Sequence, residues 1–376
     1  MKNKKIIVGL SGGVDSAASL IRLMEEGYDV EAMYMRNWDS TTNNDFLGNP
    51  TVNDDICPQE KDYNDAKAVC DKLNIKLHRV DFIQEYWDDV FTYFLNEYKK
   101  GRTPNPDIMC NKYIKFNCFL KEALRLGADM IAMGHYARRD DSLGYPRLLK
   151  GLDNNKDQTY FLCELTREQL SYALFPIGDM QKVDVRALAK KYDLDVATKK
   201  DSTGICFIGE RDFNGFLSNY LPAKPGNMVT LDGKVLARHD GLMYYTIGQR
   251  KGLGIGGSNE YSNEPWFVIG KDLEKNELIV GQGFDNPYTI SNNCLVEDFN
   301  FINPVLEDEF DCQAKFRYRQ PDVLVHVKKE GEFIHVFYDG VRAVTPGQAC
   351  VLYKGDECLG GGIINSVYMD NEKRKY

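Results

Sequence analysis

Three short stretches of the chain combine residue types at spacings that could do chemistry. The first is Ser11-Gly12-Gly13-Val14-Asp15-Ser16, which follows Gly9 and Leu10 at the end of an apolar run. Two glycines let a backbone turn sharply and approach a ligand closely. Successive N–H groups at a helix start then face an anion, and the hydroxyls of Ser11 and Ser16 add donors. This is not a Walker loop, because no Gly-Lys-Ser/Thr follows a four-residue gap. A Gly-Gly turn alone would be ordinary; the whole pattern between a strand and a helix reads as a pyrophosphate cradle, with Asp15 placed to help position magnesium. The second stretch is Pro104-Asn105-Pro106-Asp107-Ile108-Met109-Cys110-Asn111-Lys112. Its prolines stiffen the approach to a helix start. Cys110 there, with Lys112 and Lys115 nearby, is expected to have a lowered thiol pKa. Asp107, one turn away, has the chemistry of a general acid or base. The third, Lys199-Lys200-Asp201-Ser202-Thr203-Gly204-Ile205-Cys206-Phe207, sets Cys206 in a polar loop beside two lysines, again a reactive-thiol setting. Taken singly, either cysteine would read as an inert buried thiol.

The elements that must position these residues alternate in type. Residues 5–10, 30–35, 76–82 and 129–134 read as short buried strands, and residues 17–28 and 63–73 as helices. Strands separated by helices predict right-handed crossovers and a parallel sheet covered on both faces. Residues 39–59, rich in Asn, Asp and Thr, read as a mobile loop beside the second strand. After about residue 207 the texture changes. Val229-Thr230-Leu231-Asp232-Gly233-Lys234-Val235 signals a hairpin with an Asp-Gly turn, and short alternating stretches at 312–318, 323–327, 333–338 and 349–353 suggest a small β-barrel or sandwich. The expected domains are 1–208, 209–285 and 286–376.

Bulk properties narrow the classes further. No apolar run approaches the eighteen or so residues of a membrane span, and the basic start leads into too short an apolar run for a signal peptide. The expectation is a cytoplasmic protein. In a reducing compartment the 10 cysteines are not a disulfide framework, and with no CxxC pair and 5 scattered histidines no metal site is expected. A net charge of −9 excludes a protein that coats nucleic acid nonspecifically, but not an RNA enzyme with one basic face.

The first loop resembles that of N-type ATP pyrophosphatases, which cleave ATP between the α- and β-phosphates and adenylate a substrate. A longer series of motifs resembles the tRNA-specific 2-thiouridylase (MnmA) family. It comprises residues 9–16, Gly101-Arg102-Thr103 through Lys112, Asn155-Lys156-Asp157-Gln158-Thr159-Tyr160-Phe161, residues 201–211, Thr246-Ile247-Gly248-Gln249-Arg250-Lys251-Gly252-Leu253-Gly254, and Val344-Thr345-Pro346-Gly347-Gln348. The matches run in order along nearly the whole chain. The resemblance implies a PP-loop domain, a small central domain and a C-terminal antiparallel β-barrel. It implies that ATP, with magnesium, adenylates the C2 oxygen of a tRNA wobble uridine flipped into a pocket. Cys206 would carry sulfur as a persulfide received from a donor protein. Cys110 would release that sulfur as sulfide or close a disulfide with Cys206, and Asp107 would be the acid/base. For ATP it implies Gly9, Leu10, Ser11, Gly12, Gly13, Val14, Asp15, Ser16, Met35 and Gly134. For tRNA it implies Asn105, Pro106, Asp107, His135, Lys156, Asp157, Gln158, Arg317, Tyr318 and Gln348. Arg317-Tyr318-Arg319 is expected on a strand, as a phosphate-and-stacking cluster. Two other classes share parts of this pattern: an amide-forming ATP pyrophosphatase, which has no use for two cysteines, and a noncatalytic tRNA-binding protein, which would release no AMP.

Overall fold

The computed structural model describes residues 4–201, 204–206, 208–256 and 261–376. Met1, Lys2 and Asn3, Ser202, Thr203 and Phe207 of the Cys206 stretch, and Gly257, Ser258, Asn259 and Glu260 lie outside them. The N-terminal part is built on a five-stranded parallel sheet in the order β3-β2-β1-β4-β7. Its strands are β1 (Lys5–Gly9), β2 (Asp29–Arg36), β3 (Leu77–Asp81), β4 (Met130–Ala132) and β7 (Ala173–Leu174). The central strands are short and apolar because both faces are covered, as parallel sheets require. On one face, Ile6, Val8 and Tyr34 pack against Leu20 and Ile21 of α1 (Val14–Glu25) and Ala66 and Val69 of α2 (Pro58–Leu73). On the other, Ile7, Met33 and Met35 meet the helices of residues 83–99 and 106–125, through Tyr86, Phe91, Cys110 and Phe116.

The hairpin of β5 (Ala137–Asp140) and β6 (Arg147–Lys150) leaves this unit and joins a different sheet. The expected Asp-Gly hairpin forms: β8 (Gly226–Val229) and β9 (Val235–His239) pair antiparallel, in a four-stranded sheet with β10 (Trp266–Asp272) and β11 (Glu277–Gln282). The remaining strands are β12 (Ile290–Phe301), β13 (Glu309–Lys315), β14 (Val323–Glu330), β15 (Phe333–Arg342), β16 (Ala349–Lys354) and β17 (Glu357–Met369). They run β12-β15-β14-β13-β16-β17, and β12 also pairs with β17, which closes a six-stranded antiparallel barrel. Pairing of β6 with β17 fastens the barrel to the N-terminal unit. The expected order of parallel α/β domain, central unit and β-barrel is therefore borne out.

One expectation is corrected. Residues 50–57 are mostly exposed turn, as expected, but 39–49 are tied down. Asp45 is fully buried and accepts hydrogen bonds from Trp38 Nε1 at 3.0 Å and from Arg211 Nε and Nη2 at 3.0 and 2.8 Å. Asn219 bonds both the N–H and the carbonyl of Leu47. These polar residues look like a solvated loop in sequence; Arg211 and Asn219, which anchor them, lie more than 160 residues away.

Candidate active site

The phosphate loop leaves the carboxyl end of β1, where ligands of parallel sheets bind. Gly12 has φ +73°, and a Cβ there would lie 2.3 Å from the Asp62 carbonyl oxygen, so no other residue fits. Gly13 is the N-cap of α1, whose first N–H groups are left without intrahelical partners. Ser16 Oγ accepts from Ser11 N–H at 3.2 Å and donates to Gly13 O at 3.0 Å, which ties the loop into one shape. Gly134, at the end of β4, is pressed on this turn: a Cβ would lie 2.8 Å from Ser16 N. Met35 is buried on β2 in the same core as Cys110.

Cations surround the loop. Lys199 Nζ donates to Gly12 O at 3.0 Å and pairs with Asp62 and Asp65. Lys182 pairs with Asp15 at 2.7 Å and with Asp201 at 2.8 Å, and Asp201 also holds Lys156 and Arg186. Burial alone would raise the Asp201 carboxyl; hydrogen bonds from Lys156 and Lys182 outweigh it and hold the group down at about 2. The oriented N–H groups with four cations nearby fit a polyphosphate. The fit to a protein-held magnesium ion is poor. Both Asp15 oxygens accept from Lys182 and one also from the Tyr136 hydroxyl, and the described residues contain no group of three candidate metal ligands.

The two cysteines meet on the sheet face of Ile7, Met33 and Met35. Asn105 Oδ1 caps the helix of residues 106–125 by accepting from Asp107 N–H, and Pro106 occupies its first turn. Cys110 Sγ lies 3.7 Å from Cys206 Sγ. Cys206 is held by its own backbone: its N–H donates to Asp107 Oδ1 at 3.2 Å, and its carbonyl accepts from the Tyr86 hydroxyl at 2.8 Å. Residues 110–118 are π-helical. Hydrogen bonds from i to i+5 bring Lys115 round toward the face of Cys110, a placement α-helical spacing does not give. The Lys115 ammonium is buried against Cys206, Cys110 and Asp107.

The two thiols are unlike. A hydrogen bond from Cys110 pulls the Cys206 thiol below the ordinary cysteine range against the opposing effect of burial, with help from Lys115. Burial and then that same contact push Cys110 well up. The lowered thiol expected for Cys110 is thus corrected: its side chain sits in the core, and Lys112 turns away to pair with Glu164 at 3.0 Å. Burial also raises the Asp107 carboxyl, against Lys115 and the Cys206 N–H.

The tRNA candidates fall in three places. Asn105, Pro106 and Asp107 adjoin the thiols. His135 is buried between Phe116 and Phe175, and burial, with Lys115 near, keeps its imidazole neutral. Lys156 belongs to the Asp201 cluster, while Asp157 and Gln158 serve as local acceptors, for Gly151 N–H, the Thr159 hydroxyl and Tyr136 N–H. Gln348 Nε2 donates to Thr103 O at 2.7 Å, tying the barrel to the approach to Asp107. Arg317 and Tyr318 occupy a turn rather than a strand, because β13 ends at Lys315 and Gln320 Oε1 takes the Phe316 N–H. Tyr318 lies on Phe161 at 4.4 Å, and the Phe161 carbonyl accepts from Asn111, next to Cys110. Sequence reasoning missed Lys182 and Arg186, on the helix Lys182–Lys191, and Tyr86, the last residue of the short helix Ile83–Tyr86. Of Cys70, Cys118, Cys163 and Cys312, whose apolar or strand contexts read as core, Cys118 is only half-buried and the other three are buried; all ten cysteines are free.

These features define a class: an α/β protein with an anion-binding loop and a polarised thiol pair at one sheet edge, followed by two β units. Residues 4–210 match the family described as the tRNA methyl transferase HUP domain, 214–282 its PRC-barrel domain, and 291–364 the aminomethyltransferase beta-barrel domain. The chain is 56% identical over 375 residues to the tRNA-specific 2-thiouridylase MnmA of Acholeplasma laidlawii, covering 99% of each chain. It is 56% identical to the protein of that name from Bacillus velezensis, covering all of this chain and 98% of the other, and 54% identical to that from Bacillus subtilis, with the same coverage. The chain belongs to the tRNA-specific 2-thiouridylase MnmA family.

Proposed function

We propose that this chain is a tRNA uridine 2-sulfurtransferase, which uses ATP to replace the C2 oxygen of the wobble uridine by sulfur. The observation that carries the reading is the span from Asp201 to Cys206. Asp201 is tied through Lys182 to Asp15 of the phosphate loop, and Cys206 lies 3.7 Å from Cys110. Five residues reach at most about 18 Å, so phosphate loop and thiol pair can serve one substrate.

The loop and the surrounding lysines hold the ATP phosphates while the uridine O2 attacks the α-phosphorus and pyrophosphate leaves. A Cys206 persulfide, loaded by a sulfur-donor protein, attacks C2 through its terminal sulfur, and AMP departs with the original oxygen. Cys110 then attacks Cys206 Sγ, giving its proton to Asp107. The S–S bond of the persulfide breaks, 2-thiouridine is released, and a Cys110–Cys206 disulfide remains for a dithiol reductant to reopen. The polarity of the pair supports this assignment: the site favours negative charge on Cys206 and keeps Cys110 protonated until needed. Magnesium enters with the nucleotide phosphates rather than in a protein cage.

The reading gives catalysis to residues 1–208, with 209–285 as the central domain and 286–376 as the barrel. It gives His135, Lys156, Arg317, Tyr318 and Gln348 to tRNA, and places the reaction in the cytoplasm. No helix among the described residues is long and apolar enough to cross a membrane. Cys206→Ser is expected to abolish 2-thiouridine formation, scored by mass spectrometry of digested tRNA, while tRNA-dependent pyrophosphate release persists. Thiolation at the unsubstituted rate would refute the assignment.

A further inference from the structure

Folded proteins leave few buried polar groups without partners, because each is costly, so an orphan in a site asks for an explanation. Asn37 is fully buried, and it is the only described side chain in which a buried donor and a buried acceptor, Nδ2 and Oδ1, both lack a hydrogen-bond partner. It stands just beyond β2, which ends at Arg36, at the carboxyl edge of the sheet. Its neighbours in sequence lie on the thiol face: Met35 and Trp38 share a core with Cys110 and Met133. The Trp38 ring is 6.1 Å from that of Tyr86, whose hydroxyl holds the Cys206 carbonyl. Two other orphan atoms belong to residues next to the same site, His135 Nδ1 beside Gly134 and Asn111 Oδ1 beside Cys110.

We infer that Asn37 is a base-reading residue, whose carboxamide takes the imide edge of the uracil to be thiolated. The entering uracil presents its N3–H donor and O4 acceptor side by side, and adenylation of O2 then releases the N3 proton. A carboxamide is the matching acceptor–donor pair, as in bidentate contacts of Asn with a base edge. Oδ1 accepts the N3–H and Nδ2 donates to O4. Both orphan atoms are then satisfied in the complex, and the base is held with its C2 edge free to face the thiols. The inference rests on the function proposed above.

The test uses the full chain with an anticodon stem-loop RNA carrying uridine or 3-methyluridine at the target position. Asn37→Leu removes both polar atoms at similar volume. The expected result is a kcat/KM for the uridine RNA about ten- to a hundredfold lower, an unchanged KM for ATP, and a urea midpoint equal to or above that of the unsubstituted protein, because a desolvated amide has been removed. In RNA affinity, read as Kd without ATP, the substitution should weaken the uridine RNA much more than the 3-methyluridine RNA, which cannot donate from N3, as partners in one interaction do. An unchanged kcat/KM, a loss confined to ATP, or an equal loss of affinity for both RNAs would overturn the inference. Should Asn37→Leu fail to fold, Asn37→Asp, which keeps the shape and loses the donor, is taken through the same cycle. If the unsubstituted protein thiolates neither RNA nor whole tRNA, the functional reading itself falls, and the inference with it.

Discussion

Removing the Cys110 thiol should make Cys206 a poorer nucleophile even though it frees space around it. The Cys206 sulfur is held toward its charged form first by the hydrogen bond from Cys110 across 3.7 Å, then by Lys115, against burial and Asp107. Hydrogen bonds to charged groups are worth about 1.5–3 kcal/mol, and a thiol is a weak donor, so the lower figure applies. At about 1.4 kcal/mol per factor of ten, Cys110→Ala should cut the thiolate fraction of Cys206 at neutral pH about tenfold. The assay is alkylation of Cys206 by iodoacetamide across pH 5–10, followed by peptide mass spectrometry. The midpoint of the rate profile should move up toward the ordinary cysteine range, and the neutral-pH rate should fall with it. Access changes the plateau rate but not the midpoint, so the two effects separate. A midpoint unchanged or lowered in Cys110→Ala would refute the polarised pair.

Two further predictions concern the frame around the site. Arg211→Met leaves Asp45 charged in the core with Trp38 as its remaining partner at 3.0 Å, so urea denaturation should show a loss of about 3 kcal/mol; a loss under about 1 kcal/mol would mean that residues 39–49 are not anchored there. Lys271 is buried, donates to Gly101 O at 2.9 Å, and burial lowers its ammonium from the ordinary 10.5 to about 8. Between those two values the unfolded chain binds more protons than the folded one, so stability should rise with pH from about 8 to 10.5. Lys271→Met should remove that rise, as followed by urea midpoints, and an identical pH profile in the variant would refute it.

Much of the site was legible in the chain because local chemistry writes it there. The Gly12-Gly13 turn ahead of an apolar helix, the Asn105-Pro106 start of the next, and the alternation of strands and helices follow from backbone conformational preference and hydrophobic periodicity. Both are properties of neighbouring residues. What could not be read depends on residues far apart. The thiol assignment within the pair was reversed because helix position says nothing of depth: Cys110 lies in the core, and its sulfur gives its proton toward Cys206. The π-helical turn that swings Lys115 toward the thiols leaves no periodic signature, since it is a local insertion set by packing. The β5–β6 hairpin reads as part of the N-terminal unit, yet its hydrogen bonds close on β17, some 210 residues later. The sequence by itself determined that a phosphate loop and two cysteines exist and what chemistry each can do. Only the tertiary structure decided which sulfur carries the charge, because that depends on burial and on partners that meet only when the chain has folded.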